Sequence, residues 1–152
     1  MWYNERQDNR IISYRNWRLE LEELPLEEQL NKIAHDWAYV PRSMHYLTPD
    51  DPDTWPTPWE LIHDNIYCDL SVCLGMFYTA ILLGKTDIEK ARLLVYNSKS
   101  NWINLSSFED GKYILNWNQR EVVNTEHVPA QEELKYVYSV EDIPALKKEF
   151  GR

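Results

Sequence analysis

The sequence predicts an α+β fold in which a central buried helix packs on an antiparallel sheet of three to five strands, with two N-terminal helices beside it. Two observations lead to this prediction. The stretch from Trp59 to Leu83 is apolar almost all round, which is typical of a helix enclosed by other elements. After Gly84 the apolar residues follow a period of two, which indicates strands. The 152 residues are expected to form a single domain, 1–152.

The N-terminal part is predicted to contain an arm followed by two helices. Residues 1–12 are mostly polar and are interpreted as the N-terminal arm. A first amphipathic helix is expected over residues 14–23. Pro25 suits the first turn of a second helix. This helix ends near Tyr39, because Pro41 cannot continue it.

The C-terminal half is predicted to form the sheet. A proline-rich loop over residues 42–57 leads into the buried helix. The dipeptide Asp110-Gly111 lies between two alternating segments and indicates a β-hairpin. Strands are expected at Arg92–Tyr96, Trp102–Phe108, Lys112–Trp117, Glu121–Val123 and Leu134–Tyr138, followed by a short helix over Val140–Phe150.

The composition argues against several classes of function. A net charge of −9 repels a phosphate backbone, so no nucleic-acid partner is expected, although an acidic mimic of nucleic acid remains an alternative. The longest uncharged run, residues 70–84, is shorter than the roughly 20 residues that span a membrane, so no membrane partner is expected. The sequence contains no phosphate-binding loop, dinucleotide fingerprint or zinc-ligand spacing. Neither a cofactor nor a metal is therefore predicted.

Two cysteines, Cys68 and Cys73, are interpreted as reduced thiols. On one helix their side chains diverge by about 140°, so they cannot readily bridge each other or share a metal. A thiol becomes a nucleophile when a helix N-terminus and a neighbouring His lower its pKa. Cys68 lies in the first turn of its helix only if residues 59–66 form a separate turn or helix.

The order of elements from Trp59 to Val123 resembles the core of the transglutaminase-like and papain-like superfamily. A Cys at the buried helix is followed by two strands, a hairpin and a third strand. The resemblance implies a Cys nucleophile at Cys68, a His on the second strand, and an Asp or Asn at the end of the third. Asn116 fits the third position, where its amide can orient an imidazole. The His position falls near Ser100 or Asn101, and neither residue can act as a general base.

Another histidine would therefore have to supply the base. His63 lies five positions before Cys68, so it reaches the thiol only if the helix breaks between them. His45 lies in the proline-rich loop, which can fold over this end of the helix. The enzymatic alternative is thus a Cys-dependent hydrolase or acyltransferase, with Cys68 as nucleophile, Asn116 as orienting residue and His45 or His63 as base.

Three stretches, ISYRNWRLELEELPLEEQL, WPTPWELIHDNIYCDL and GKYILNW, resemble a family of small proteins of myovirus-type tailed phages, including phages of cyanobacteria. This resemblance implies a phage origin and brings no catalytic residues. Together with the missing base, it favours a non-catalytic protein that binds another protein, either as a virion or assembly component or as a modulator of a host protein. The expected location is the cytoplasm of the infected host cell, with incorporation into the virion as a further option.

Aromatic residues are more abundant than one small core requires. They make up 13% of the chain, with seven Trp and ten Tyr. Aromatic rings at a surface favour contacts with partner proteins. Trp2, Trp55 and Trp59 are predicted as partner-binding candidates, and at least one of them is expected to be substantially exposed. The alternative is that these rings fill a Trp-rich core.

Overall fold

The computed structural model describes residues 1–98, 101–118, 120–128 and 133–150. Within them the chain has the predicted α+β fold. The α-helices are α1 (Arg10–Leu21), α2 (Leu26–Trp37), α3 (Pro58–Asp64), α4 (Asp69–Leu83) and α5 (Pro144–Phe150). The strands are β1 (Arg92–Ser98), β2 (Asn101–Phe108), β3 (Tyr113–Asn118), β4 (Glu121–Val123) and β5 (Glu133–Tyr138). None of the helices seen in these ranges combines the length and apolarity needed to cross a membrane.

The five strands form one antiparallel sheet in the order β4-β3-β2-β1-β5. Helix α4 packs on this sheet, and every residue of α4 from Leu70 to Ile81 is buried. Phe77 on α4 stacks on Phe108 at the end of β2, with ring centroids 5.7 Å apart. The predicted buried helix on an antiparallel sheet is therefore confirmed.

The single helix predicted over Trp59–Leu83 is wrong, because the chain breaks it into α3 and α4. Thr57 caps α3: its hydroxyl accepts the Glu60 N–H, and the Glu60 carboxylate accepts the Thr57 N–H. Asn65 then ends α3 in the left-handed conformation with φ 56°, which Asn tolerates better than most residues. The break places Cys68 at the N-cap of α4 rather than in a helix interior.

The N-terminal segment predicted as an arm over residues 1–12 is held on the helices by Trp2, and its last three residues already belong to α1. Two short 3₁₀ turns precede α1, and the side chain of Trp2 is completely buried. The indole N–H of Trp2 donates to the Tyr67 hydroxyl at 3.2 Å. Its ring also contacts the rings of Tyr14, Trp17 and Trp37. Much of the surplus of aromatic residues therefore fills the core between the N-terminal helices and α4.

The β2–β3 hairpin contains Asp110-Gly111, and Gly111 has the predicted positive φ, at 88°. The connection is longer than a two-residue turn: Phe108 pairs with Tyr113, so residues 109–112 form the loop. The carbonyl of Gly111 accepts hydrogen bonds from both the N–H and the hydroxyl of Thr125. Thr125 thereby closes over the Gly111 backbone.

Gly111→Ala should lower the free energy of unfolding by about 2 kcal/mol or more, about 1 kcal/mol of which comes from the positive φ. The remainder arises because the added Cβ would collide with the Thr125 hydroxyl. Gly84→Ala is the matched control, since Gly84 has φ 77° but a Cβ added there would have no atom within 4 Å. Urea unfolding of both variants measures the difference. Equal losses would show that the Thr125 contact contributes nothing.

Candidate functional site

Cys68 is buried at the start of α4, with 5% of its surface exposed. Its sulfur accepts a hydrogen bond from the Leu47 backbone N–H at 3.4 Å. The Ser71 hydroxyl lies 3.4 Å from the same sulfur and 3.0 Å from the Cys68 carbonyl, and its single proton can bond only one of them at a time. The Cys68 N–H donates to the Ser71 oxygen at 2.6 Å. The residue thus closes the first turn of α4 and holds the proline-rich loop against it.

The next residue, Asp69, is the centre of a polar network between α4 and the sheet. The amide of Asn104 on β2 donates to Asp69 Oδ2 at 2.9 Å. The amide of Asn116 on β3 lies 3.3 and 3.4 Å from the two Asp69 oxygens and donates to the Asn104 backbone carbonyl at 2.8 Å. The Arg42 guanidinium lies 3.8 Å from Asp69 Oδ1. Donors from two strands and a loop therefore converge on one carboxylate at a helix N-terminus.

The two asparagines reach Asp69 for different structural reasons. Alternation along β2 directs Asn104, Ser106 and Phe108 to the face that packs on α4. Leu115 on β3 pairs with Ser106, so regular alternation would turn Asn116 to the opposite face. Asn116 instead has φ 74°, and the pairing of β3 with β4 shifts register at this point. This local distortion turns the Asn116 amide back towards Asp69.

The structure corrects the position on β2 that faces the start of α4. The sequence interpretation placed it near Ser100 or Asn101, but the side chain that meets α4 is Asn104. Asn101 is exposed, and Ser100 lies outside the described residues. Asn104 is almost fully buried, and its Oδ1 atom has no hydrogen-bond partner. A partial signal was present in the sequence, because the polar Asn104 and Ser106 alternate with the apolar Ile103 and Leu105.

His63 does not reach the thiol. It is exposed near the end of α3, and its Nδ1 lies 3.0 Å from an oxygen of Asp64 and 3.5 Å from the Gln7 amide nitrogen. All four histidines fall within the described residues, and none of them hydrogen-bonds the Cys68 sulfur.

His45 lies on the wall of a cavity of about 440 Å³. Leu47 and Ser71, which both contact the Cys68 sulfur, line the same cavity. His45 is exposed and makes no hydrogen bond to the thiol. The cavity wall also carries the carboxylates of Asp53, Glu60 and Asp64.

The second cysteine, Cys73, is an interior thiol. Burial raises the pKa of Cys73 well above its ordinary value, and a hydrogen bond with Ser106 offsets only part of that effect. The Ser106 hydroxyl donates to the Cys73 carbonyl at 2.9 Å and lies 3.3 Å from the Cys73 sulfur. These contacts hold α4 on β2, so the role of Cys73 is packing.

The prediction that at least one of Trp2, Trp55 and Trp59 is substantially exposed is not met. The exposed fractions of Trp2 and Trp55 are 0% and 4%, because Trp2 completes the aromatic core and Trp55 packs against Tyr138. Trp59 is half-buried, with the guanidinium groups of Arg15 and Arg18 within 5.2 and 5.3 Å of its ring centroid. The tryptophan that sequence reasoning missed is Trp102, which is 44% exposed.

Comparison with solved structures places this arrangement in a known fold. LapG of Legionella pneumophila aligns with a TM-score of 0.70 at 18% sequence identity, covering 91% of this chain and 78% of that protein. The calcium-bound form of LapG aligns with a TM-score of 0.73 at 17% identity, covering 98% and 94%. The fold is therefore transglutaminase-like, as the order of elements predicted. No family model matches the sequence, and no curated protein matches it significantly.

The carboxylate of Asp69 is engaged by donors of the protein itself. In the ranges that the structure covers, no group of three or more His, Cys, Asp or Glu side chains is placed to hold a metal. Calcium is normally held by six to eight oxygen ligands. The carboxylate of Asp69 instead receives two amide donors and faces the guanidinium of Arg42.

Proposed function

We propose that this protein is a non-catalytic member of the transglutaminase-like fold that acts by binding another protein. The observation that supports this proposal is the network of Asp69, Asn104 and Asn116. It lies at the start of α4, directly after Cys68, and on the two strands where the superfamily resemblance implies a His and an Asp or Asn. An amide nitrogen is not basic near neutral pH, so Asn104 cannot take a proton from a nucleophile.

The environment of Cys68 supports the same proposal. A catalytic thiol must be reachable by substrate and must have a base at hydrogen-bond distance. The Cys68 sulfur is buried and accepts the Leu47 N–H, so the loop covers it. Its other neighbour is the Ser71 hydroxyl, which is not a base near neutral pH.

The phage origin and the location proposed for this binding protein rest on sequence resemblance. The three stretches that resemble proteins of myovirus-type phages are the basis for proposing a phage origin. The protein would then act in the cytoplasm of the infected cell or as part of the virion. A net charge of −9 suits a partner with a basic surface, because opposite charges steer two proteins together.

Iodoacetamide should label Cys68 in the native protein more slowly than it labels a free thiol, because the thiol is buried under the loop. Cys73 is an internal reference for a fully buried thiol, and the same protein in denaturant shows the unhindered rate. Mass spectrometry of the labelled peptides separates the two sites. Rapid native labelling of Cys68, with an apparent pKa well below ~8.5, would overturn the non-catalytic proposal.

The binding function is tested by purifying the tagged protein from infected cells. Wild-type protein and the Cys68→Ser variant should retain the same partner in the same amount, because the proposal assigns no chemistry to the thiol. Loss of the partner in Cys68→Ser, with the fold intact by circular dichroism, would contradict it.

A thiol hydrolase is the second candidate, and one observation favours it. His45 lines the same cavity as Leu47 and Ser71, the two residues that contact the Cys68 sulfur. If the loop moves so that His45 reaches the sulfur, the pair would form a thiolate and an imidazolium. His45→Ala would then shift the pH profile of Cys68 alkylation to higher pH. An unchanged profile excludes His45 as the base.

A further inference from the structure

The sheet carries an open row of aromatic rings beside the Asp69 network. The rings of Trp102 and Tyr136 stack with centroids 6.3 Å apart and planes 28° apart. Tyr136 in turn stacks on Tyr138 at 6.1 Å and 21°. We refer to Trp102, Tyr136 and Tyr138 as the aromatic row.

Register places the aromatic row on the face of the sheet that packs on α4. Tyr136 pairs with Val95, which pairs with Asn104, so these three residues share the face on which Asn104 meets Asp69. Trp102 is two residues before Asn104 on the same strand and shares this face. Because α4 begins at Asp69, it does not extend over Trp102, which remains 44% exposed.

One end of the row is fixed and the other is open. The Tyr138 hydroxyl donates to the Pro49 carbonyl at 2.7 Å, and Trp55 packs edge-on against the Tyr138 ring at 5.1 Å. Tyr136 is half-buried, and Trp102 is the most exposed ring of the row. Strand β5 is the last strand of the sheet, so within the described residues no further strand lies along its outer edge. A sheet edge of this kind is where an extended peptide can add as a further strand.

Carboxylates lie near the Tyr138 end of the row. Burial is the main cause that raises the pKa of Tyr138 to about 12, and the charges of Asp50, Asp51 and Asp142 add to it. These carboxylates therefore lie within electrostatic range of the row. Asp69, near its other end, is 54% exposed and lies 3.8 Å from the guanidinium of Arg42.

We propose that the aromatic row is a docking surface for an extended, arginine-containing segment of the protein partner. The proposal rests on the binding function proposed above and names the chemistry of the partner. A guanidinium group stacks on aromatic faces and also pairs with carboxylates. An ammonium group stacks on aromatic faces less well. The same contact occurs within this chain, where Arg120 lies 4.9 Å from the centroid of the Tyr39 ring. The chain's charge of −9 complements such a segment.

The test uses a fluorescent synthetic peptide in which arginines alternate with Ser and Pro, together with matched peptides carrying Lys or Glu in place of Arg. Trp102→Ala should weaken binding of the Arg peptide about tenfold, and Trp102→Phe should recover part of the loss. The double variant Asp50→Asn with Asp51→Asn should weaken binding and flatten its salt dependence. Ile12→Ala removes an exposed side chain on α1 and should leave affinity unchanged.

Equal affinity for the Glu peptide, no binding of the Arg peptide, or an unaffected Trp102→Ala variant would overturn the docking surface. A failure of the docking surface can be distinguished from a failure of the proposed binding function. If Trp102→Ala still retains the partner purified from infected cells, the protein binds that partner through another surface. If Cys68 alkylates rapidly, the non-catalytic proposal fails, whatever the peptide result.

Discussion

Gly75→Ala should destabilise the protein by about 3 kcal/mol or more, although the same substitution in an exposed helix stabilises by about 1 kcal/mol. The informative result is that Gly75→Ala lowers the free energy of unfolding instead of raising it. Gly75 lies in the middle of α4, where the Trp37 ring from α2 rests directly on the helix backbone. A Cβ atom at position 75 would lie 2.5 Å from Trp37 Cζ3, much closer than van der Waals contact.

The Trp37 ring has little freedom to move away. It is fully buried, and its indole N–H donates to the Thr79 hydroxyl at 3.1 Å. The rings of Trp2 and Tyr67 lie against it at 4.9 and 5.5 Å. Because the surrounding rings are themselves in the core, the added methyl group must displace α2 as a whole.

A double-mutant cycle with Trp37→Leu isolates this contact. Trp37→Leu alone should be destabilising, because it leaves a cavity. In that background Gly75→Ala should be much less harmful, and the two losses should not add. Urea unfolding of the four proteins measures the coupling. Additive losses would show that the Trp37 ring does not set the limit at Gly75.

The fold is largely predictable because its strongest signals are local. The apolar segment after Cys68, the stop at Gly84, and the alternation of strands around Asp110-Gly111 each identify one element. The break between α3 and α4 is not predicted, although Thr57 and Glu60 form a capping box and Asn65 is a good helix terminator. These signals are easily missed, because apolar residues lie on both sides of the break and favour one long buried helix.

The site is less predictable because it depends on register and on one unusual backbone angle. Moving along β2 by one residue reverses the face to which a side chain points. Choosing Asn101 rather than Asn104 therefore misplaces the site. The contact of Asn116 with Asp69 requires a positive φ at Asn116, and no local sequence pattern predicts it. The exposure of Trp102 and the burial of Trp2 depend on where distant elements pack, which periodicity alone cannot show.

Asp69→Cys combined with Asn104→His should create a reactive thiol in a protein whose own Cys68 is proposed to be unreactive. The carboxylate of Asp69 and the amide of Asn104 are 2.9 Å apart, so a thiol and an imidazole at these positions lie within reach of each other. The N-terminus of α4 also favours a thiolate at position 69. The amide of Asn116, already directed at this point, can orient the new imidazole.

The pH profile of alkylation is the proper readout of this prediction. An imidazolium beside the introduced thiol should move the apparent pKa of that thiol downward by about 2 units relative to the Asp69→Cys variant alone. The rate at one pH is less informative, because a thiolate of lower pKa is also a weaker nucleophile. Mass spectrometry of the labelled peptide separates position 69 from the two native cysteines.

The matched control is Asp69→Cys combined with Asn101→His, which places the imidazole at the exposed position that the sequence suggests. This variant should behave like Asp69→Cys alone, because residue 101 does not face the start of α4. If Asn104→His leaves the profile unchanged while the fold remains intact, Asn104 does not occupy the position of a general base. The amide of Asn104 would then no longer support a non-catalytic role for this chain. A downward shift with Asn104→His and none with Asn101→His would show that the scaffold retains a geometry suited to thiol chemistry and that the native Asp69 and Asn104 side chains supply neither a thiol nor a base at these two positions.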